Sequence, residues 1–207
     1  MQTRQTGVFF RLAAVAAMTI LSVGAHAQTL SGVELVNALK QGGYVLVMRH
    51  ANSPAQPPSK QDADPKNVNL ERQLDGTGRD TARAMGEAVK KIDLPIGEVF
   101  SSPTFRAHET VTYAALGQQK DVTELDEGAA GMQAIPESAR IAWLKAKTAE
   151  APRAQTNTIV VTHAPNIKGA FGIDAAAGET MVFKPDGKGG ASEVARLKIG
   201  DWPALAK

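Results

Sequence analysis

The 207-residue sequence contains no cysteine. Disulfide bonds, thiolate metal sites and cysteine nucleophiles are therefore excluded. A chain of this length can bury a core large enough to fold without cross-links, so the absence of disulfides is compatible with an oxidising compartment.

The sequence also lacks an apolar run of the ~20 residues that a membrane span requires. A shorter apolar stretch, residues 12–24, follows a segment that carries Arg4 and Arg11 and no acidic residue. Ala-His-Ala at 25–27 comes next. This pattern predicts a secretory signal peptide over residues 1–27, with an uncleaved membrane anchor as the alternative. Cleavage would leave one domain, residues 28–207, without a membrane span, in the periplasm or outside the cell.

An excess of charge of either sign is missing as well. The chain has 23 Lys and Arg against 21 Asp and Glu. Two of the arginines belong to the predicted signal, so the remainder has 21 of each. Nucleic acid is therefore not a predicted partner, and an anionic ligand would need local positive charge. The sequence shows no acidic cluster typical of Mg²⁺ or Zn²⁺ sites, and no metal or other cofactor is predicted.

Helical and strand-like segments alternate along most of the chain. Helical spacing predicts helices over 30–43, 75–92, 103–116 and 136–149, and another after Pro165. Strands are predicted over 44–48, 98–102, 121–125, 157–163, 179–185 and 191–199, the last two forming a hairpin. This alternation predicts an α/β fold, a three-layer α/β/α sandwich with a mostly parallel central sheet. Residues 51–73, polar and rich in proline, are predicted to form a long functional loop.

Charged and polar side chains follow three of the predicted strands. Arg49 and His50 end the first, Arg106 lies in the helix after the second, and His163 ends the strand over 157–163. Ligands of open α/β sheets bind at the carboxyl ends of the strands. Arginine suits a phosphate because its planar group makes two parallel hydrogen bonds, and a helix beginning near Pro103 would add partial positive charge. A neutral histidine can attack phosphorus, so this edge is predicted to bind and react with a phosphoryl group.

These segments resemble the sequence blocks of the histidine phosphatase superfamily, the phosphoglycerate-mutase-like enzymes. The blocks here are VLVMRHA (45–51), SSPTFRAHET (101–110) and IVVTHAPNI (159–167), with Ala51 where the family pattern has glycine. A looser block, L-x-E-x-x-x-G, is matched by Leu125, Glu127 and Gly131. The resemblance extends over residues 43–200 and is to exported, phosphatase-type members.

The resemblance implies a metal-independent phosphomonoester hydrolase of the histidine acid type. His50 would attack phosphorus and form a phosphohistidine. The phosphoryl oxygens would be held by Arg49, Arg106 and His163. Glu127 would protonate the leaving oxygen and then accept a proton from water, with Glu124 as the rival for this role.

Three further residues are possible pocket residues: Asn52, Ser53 and Asn166. Each has a structural alternative, since Asn52 and Ser53 could cap a turn and Asn166 could cap the helix that follows Pro165. His108 lies outside the family pattern and is interpreted as a helix surface residue.

Two alternatives to a small-molecule phosphatase remain open. A catalytically degenerate relative would bind a phosphorylated ligand with the same residues and not hydrolyse it. A true phosphatase could instead act on a phosphorylated component of the cell envelope, such as a protein side chain or a lipopolysaccharide sugar.

Overall fold

A computed structural model describes residues 29–127 and 135–207 of the chain. The predicted signal peptide and Gly131 lie outside these residues. The strands are β1 (Val45–Arg49), β2 (Ile96–Ser101), β3 (Gln119–Asp121), β4 (Asn157–Thr162), β5 (Thr180–Pro185) and β6 (Ala191–Leu197). The helices are α1 (Gly32–Gln41), α2 (Gly76–Lys91), α3 (Phe105–Tyr113), α4 (Glu137–Ala149), α5 (Ala164–Phe171) and α6 (Trp202–Leu205).

The six strands form one sheet in the order β3-β2-β4-β1-β5-β6. The first four strands of the chain pair in parallel, and β5 runs antiparallel to its neighbours β1 and β6. The mostly parallel sheet is therefore confirmed. The hairpin of β5 and β6 provides the antiparallel part, as the turn sequence between them predicts.

Both faces of the sheet are covered by helices. In β1, Leu46 and Met48 point into a core that includes residues of α1, α2, α3 and α6. The alternate residues Val45 and Val47 point into a second core shared with α4 and α5. Successive side chains of a strand face opposite ways, so a strand that is apolar throughout needs both layers. The predicted three-layer sandwich is confirmed.

Two elements differ from the sequence-based prediction. The strand expected over 121–125 is β3, Gln119–Asp121, followed by a single 3₁₀ turn, Thr123–Leu125. The chain leaves the sheet edge there because Leu125 is fully buried in the second core. Helix α3 begins at Phe105 instead of Pro103, with Thr104 as its N-cap residue.

A short helix, α6, was not predicted because four residues are too few to show helical periodicity. Its Trp202 is fully buried against the first core. No helix within the two described ranges is long and apolar enough to cross a membrane.

Candidate active site

The two histidines of the motifs lie side by side at the carboxyl edge of the sheet. Strands β1 and β4 are parallel neighbours whose register places Arg49 opposite Thr162. The amide of His50 donates to the carbonyl of Thr162 at 3.0 Å, which continues the pairing by one residue. The next residue after Thr162 is His163, and the two imidazole centroids are 5.2 Å apart.

Arg106 joins the two histidines to Glu127. Its side chain projects from the first turn of α3 and is only 4% exposed. Its Nε donates to His50 Nε2 at 3.3 Å, and its Nη2 donates to His163 Nδ1 at 3.1 Å. The same Nη2 lies 2.6 Å from Glu127 Oε1. One guanidinium thus contacts three of the residues that the sequence assigns to the site.

The surroundings of His50 fix its protonation state. Its Nδ1 lies 2.8 Å from the carbonyl oxygen of Ala51, which can only accept, so Nδ1 bears the proton. Its Nε2 then has a lone pair, consistent with the hydrogen bond from Arg106. Burial and the nearby guanidiniums lower the pKa of His50 to about 3. His50 is therefore neutral at physiological pH, with Nε2 available as a nucleophile.

His163 has the opposite tautomer. Because Arg106 donates to its Nδ1, the proton is on Nε2, which lies 2.9 Å from the hydroxyl of Ser102. Thr104 Oγ1 is 3.4 Å from the same nitrogen. His163 is completely buried, and its pKa is lowered by burial and by the charge of Arg106. Its Nδ1 faces Glu127, whose Oε2 is 3.6 Å away.

Arg49 lies at the end of β1, and its guanidinium makes a hydrogen bond through one nitrogen. Its Nη1 donates to the carbonyl of Ala175 at 2.8 Å. Its Nε is buried and finds no hydrogen-bond partner among the described residues. Its charge contributes to lowering the pKa values of both His50 and His163, so it belongs to the same electrostatic site.

A third arginine, Arg72, was not assigned to the site from the sequence. Its Nε donates to the carbonyl of Pro54 at 2.7 Å, so it holds the two ends of the 51–73 loop together. Its Nη1 is 3.9 Å from Glu127 Oε1, and its charge lowers the pKa values of His50 and His163. The loop has no periodicity that would have indicated where this side chain points.

Together these side chains form what we call the active-site cluster: His50, His163, Glu127 and the three arginines Arg49, Arg72 and Arg106. Three guanidiniums, one carboxylate and two neutral imidazoles leave two net positive charges. This charge is equal in magnitude and opposite in sign to that of a phosphomonoester dianion. The cluster thus has the charge to bind a phosphoryl group beside a neutral imidazole.

The two candidate acids lie in different places. Glu127 is in the active-site cluster, with 22% of its side chain exposed. Glu124 lies in the 3₁₀ turn, where its carboxylate accepts a hydrogen bond from the hydroxyl of Thr123. The geometry favours Glu127 for proton transfer, because it already reaches Arg106 and His163.

The possible pocket residues Asn52, Ser53 and Asn166 make hydrogen bonds to neighbouring protein groups. The amide of Asn52 donates to Asp75, the N-cap residue of α2, at 2.6 Å. The hydroxyl of Ser53 is 3.4 Å from the carbonyl of Pro54. Asn166 is buried beneath the segment that leads to Glu127. His108 pairs with Asp121 at 2.7 Å, partly exposed on α3.

The start of α3 contributes less to anion binding than its position in the sequence indicates. The amide of Phe105 donates to the carboxylate of Glu71 at 3.0 Å. The hydroxyl of Thr104 is directed toward Ser102 and His163. A side chain of the 51–73 loop thus occupies the first amide of this helix, and the arginines supply most of the positive charge.

The comparison with protein families agrees with this geometry. Residues 45–133 match the model of the histidine phosphatase superfamily (branch 1). The match confirms over this range the resemblance to the histidine phosphatase superfamily that the sequence blocks indicate. The matched range contains Arg49, His50, Arg106 and Glu127. His163 lies beyond it, directly after β4, the strand between β2 and β1 in the sheet. No curated protein matches the chain in sequence.

Solved structures support the histidine phosphatase fold. The protein histidine phosphatase SixA, in complex with tungstate, matches with a TM-score of 0.56 and 18% identity, over 76% of this chain and 98% of SixA. A phosphoserine phosphatase from Entamoeba histolytica, in complex with phosphoserine, matches with a TM-score of 0.50 and 12% identity, over 75% of this chain and 97% of that one. Sequence identities of 18% and 12% show a shared fold and do not show a shared substrate.

Proposed function

We propose that this histidine phosphatase hydrolyses phosphomonoesters through a phosphohistidine at His50. The observation that carries the proposal is the state of His50, a buried neutral imidazole with Nδ1–H on the Ala51 carbonyl and Nε2 beside Arg106. A residue that only bound phosphate would be more effective as a cation. A neutral, oriented nitrogen is what nucleophilic attack requires.

The first step transfers the phosphoryl group to the enzyme. The Nε2 lone pair of His50 forms a bond to phosphorus while the bond between phosphorus and the ester oxygen breaks. A bound phosphoryl group would displace the Glu127 carboxylate from Arg106. Glu127 then takes up a proton from solvent and gives it to the leaving oxygen. Arg49 and Arg106 stabilise the charge on the phosphoryl oxygens, and His163 joins them once Arg106 turns from its Nδ1 to the phosphoryl group and that nitrogen takes up a proton.

The second step returns the enzyme to its starting state. Water attacks the phosphohistidine, Glu127 accepts a proton from that water, and the bond between phosphorus and Nε2 breaks. Inorganic phosphate leaves, His50 is again neutral, and Glu127 releases its proton to solvent as its carboxylate pairs with Arg106 again. No oxidant, reductant or metal ion is needed to balance either step.

The substrate is proposed to be a small phosphorylated molecule or a phosphorylated component of the cell envelope. SixA is a protein histidine phosphatase and the Entamoeba protein is a phosphoserine phosphatase, so the fold accommodates a phosphorylated protein as well as a small phosphorylated molecule. Residues 1–27 have the pattern of an export signal, which supports a periplasmic or secreted location. Metal independence stays a prediction; the described residues contain no group of three or more His, Asp or Glu side chains suited to a metal ion.

The proposal is tested with native protein from a periplasmic extract, assayed on a panel of phosphomonoesters in excess EDTA. Its intact mass should correspond to a chain that begins at or near Gln28, and retention of Met1 would contradict export.

Hydrolysis should survive EDTA. Arg106→Ala should lower kcat/KM by roughly 10²–10³-fold, the usual effect of losing one oriented contact to transition-state charge.

The variant His50→Ala separates an enzyme from a binding protein. It should lose turnover and still bind inorganic phosphate, because the arginines remain. A parent protein that binds phosphate and hydrolyses nothing in the panel would favour the degenerate, ligand-binding alternative.

The EDTA assay tests metal independence separately. Activity lost on chelation and restored by one divalent ion would contradict the metal-free mechanism.

A further inference from the structure

Glu127, the general acid of the proposed reaction, follows two residues whose backbone carbonyls are held by hydrogen bonds. Leu125 is fully buried in the second core, and the next two residues lead to the active-site cluster. The carboxylate of Asp126 accepts a hydrogen bond from the amide of Glu127 at 2.6 Å. Two backbone carbonyls of this segment, those of Leu125 and Asp126, point into the protein and need hydrogen-bond donors.

Asn166 supplies those donors. It lies in the first turn of α5, three residues after His163, and is only 2% exposed. Its Nδ2 is 3.0 Å from the carbonyl oxygen of Leu125 and 2.8 Å from that of Asp126. The hydroxyl of Thr162 also donates to the carbonyl of Leu125, at 2.8 Å. Thr162, just before His163, and Asn166, three residues after it, thus hold the backbone just before Glu127.

Arg140, from the first turn of α4, orients the Asn166 amide. Its Nη1 donates to Asn166 Oδ1 at 3.0 Å and to the carbonyl of Asp126 at 3.3 Å. The amide group of Asn166 therefore accepts on its oxygen and donates from its nitrogen. An aspartate could not donate, and an apolar side chain of similar size could do neither.

We propose that Asn166, oriented by Arg140, is a positioning residue that sets the placement of Glu127 relative to His163 and the leaving oxygen. The inference rests on the proposed function, in which Glu127 protonates the leaving group. Asn166 makes no contact with a reacting atom. It acts on the geometry of proton transfer, and the rate of proton transfer is sensitive to small displacements of the catalytic group.

The test compares two substrates with different leaving groups in the same preparation of each variant. An aryl phosphate with an acidic phenol departs without protonation, whereas an alkyl phosphate needs the acid. Asn166→Ala should lower kcat/KM for the alkyl phosphate by about 10–100-fold and for the aryl phosphate by about threefold or less. The ratio of the two values does not depend on how much of the protein is folded.

Asn157→Ala is a matched control. Asn157 is also buried, and its Nδ2 donates to two backbone carbonyls, of Leu39 at 2.8 Å and Pro95 at 3.1 Å. It lies at the opposite end of β4, away from the active-site cluster. Its loss should lower stability and leave the ratio of alkyl to aryl activity unchanged.

Two further variants make the inference decisive. Arg140→Ala, at a partly exposed position, should shift the ratio in the same direction as Asn166→Ala. In a Glu127→Gln background, Asn166→Ala should shift it no further, because two residues that act through one group are not additive. An Asn166→Ala variant that slows both substrates equally, or neither, would overturn the inference and leave the proposed function standing. A parent that hydrolyses neither substrate would instead refute the proposed function.

Discussion

The two motif histidines differ in the nitrogen that bears the proton, and this difference divides their proposed roles. His50 has its proton on Nδ1, held by the Ala51 carbonyl, and presents Nε2 to the cluster. His163 has its proton on Nε2, held by Ser102, and presents Nδ1 to Arg106 and Glu127. In the phosphate-free protein one imidazole is thus arranged as a nucleophile, and the other accepts a hydrogen bond from Arg106.

The low pKa of His50 leads to a prediction about its titration. With a pKa of about 3, the ring should stay neutral from pH 8 down to pH 5 in the phosphate-free protein. A histidine with an ordinary pKa of ~6.5 would be almost fully protonated at pH 5. Histidine-selective ¹⁵N NMR, with His50→Ala to assign the signal, measures this directly. Protonation near pH 6.5 would contradict the buried, guanidinium-flanked setting of His50.

The same shift has a consequence for stability. Between pH 6.5 and about 3 the unfolded chain binds a proton at His50 that the folded chain does not. The free energy of unfolding should therefore fall as the pH falls through this range. His163, whose pKa is also lowered by burial, acts in the same direction.

The residues that the sequence assigned to the cluster share one recognisable signal. Arg49 ends β1, His50 and His163 directly follow β1 and β4, and Arg106 follows β2 by five residues; Glu127 was assigned through the family resemblance instead. Parallel strands bring such positions to one edge, so their proximity was predictable. Arg72 was missed because its position depends on hydrogen bonds within an irregular loop.

The elements were predicted well wherever hydrophobic periodicity is strong. The strands β1 and β4 and the helices α2 and α4 agree with the sequence to within about two residues. The weakest prediction, the strand over 121–125, failed at an edge where a single paired neighbour gives little periodicity and burial of Leu125 decides the path. The strand order depends on contacts between residues far apart in the sequence, which local patterns do not reveal.

The packing of α2 against α3 depends on a glycine. A Cβ atom at Gly86 would overlap the carbonyl oxygen of Ala114, at the end of α3. Gly86→Ala should therefore lower the free energy of unfolding by about 1–3 kcal/mol, the usual effect of forcing extra volume into a packed interface. Urea denaturation measures it.

Gly76→Ala, at the first residue of the same helix, is the matched control, because the space around Gly76 is open. It should change stability little or raise it slightly, since alanine favours the helix. Equal effects of the two substitutions would show that the contact between α2 and α3 is not as close as described.

At the scale of the whole molecule, charge is balanced overall and concentrated locally. The part of the chain after residue 27 has equal numbers of basic and acidic residues, yet three arginines converge on one edge of the sheet. The sheet holds two neutral histidines and a glutamate at that edge. In the proposed function, this local concentration of positive charge attracts a phosphoryl group to a protein without a large overall charge.

The central claim is that His50 becomes phosphorylated during turnover. Rapid quench of the parent protein with a ³²P-labelled aryl phosphate should trap acid-labile, base-stable phosphate on the peptide that contains His50. The same peptide from His50→Ala should have no label. A parent protein that turns over steadily and never shows phosphate on His50, at any quench time, would contradict the account.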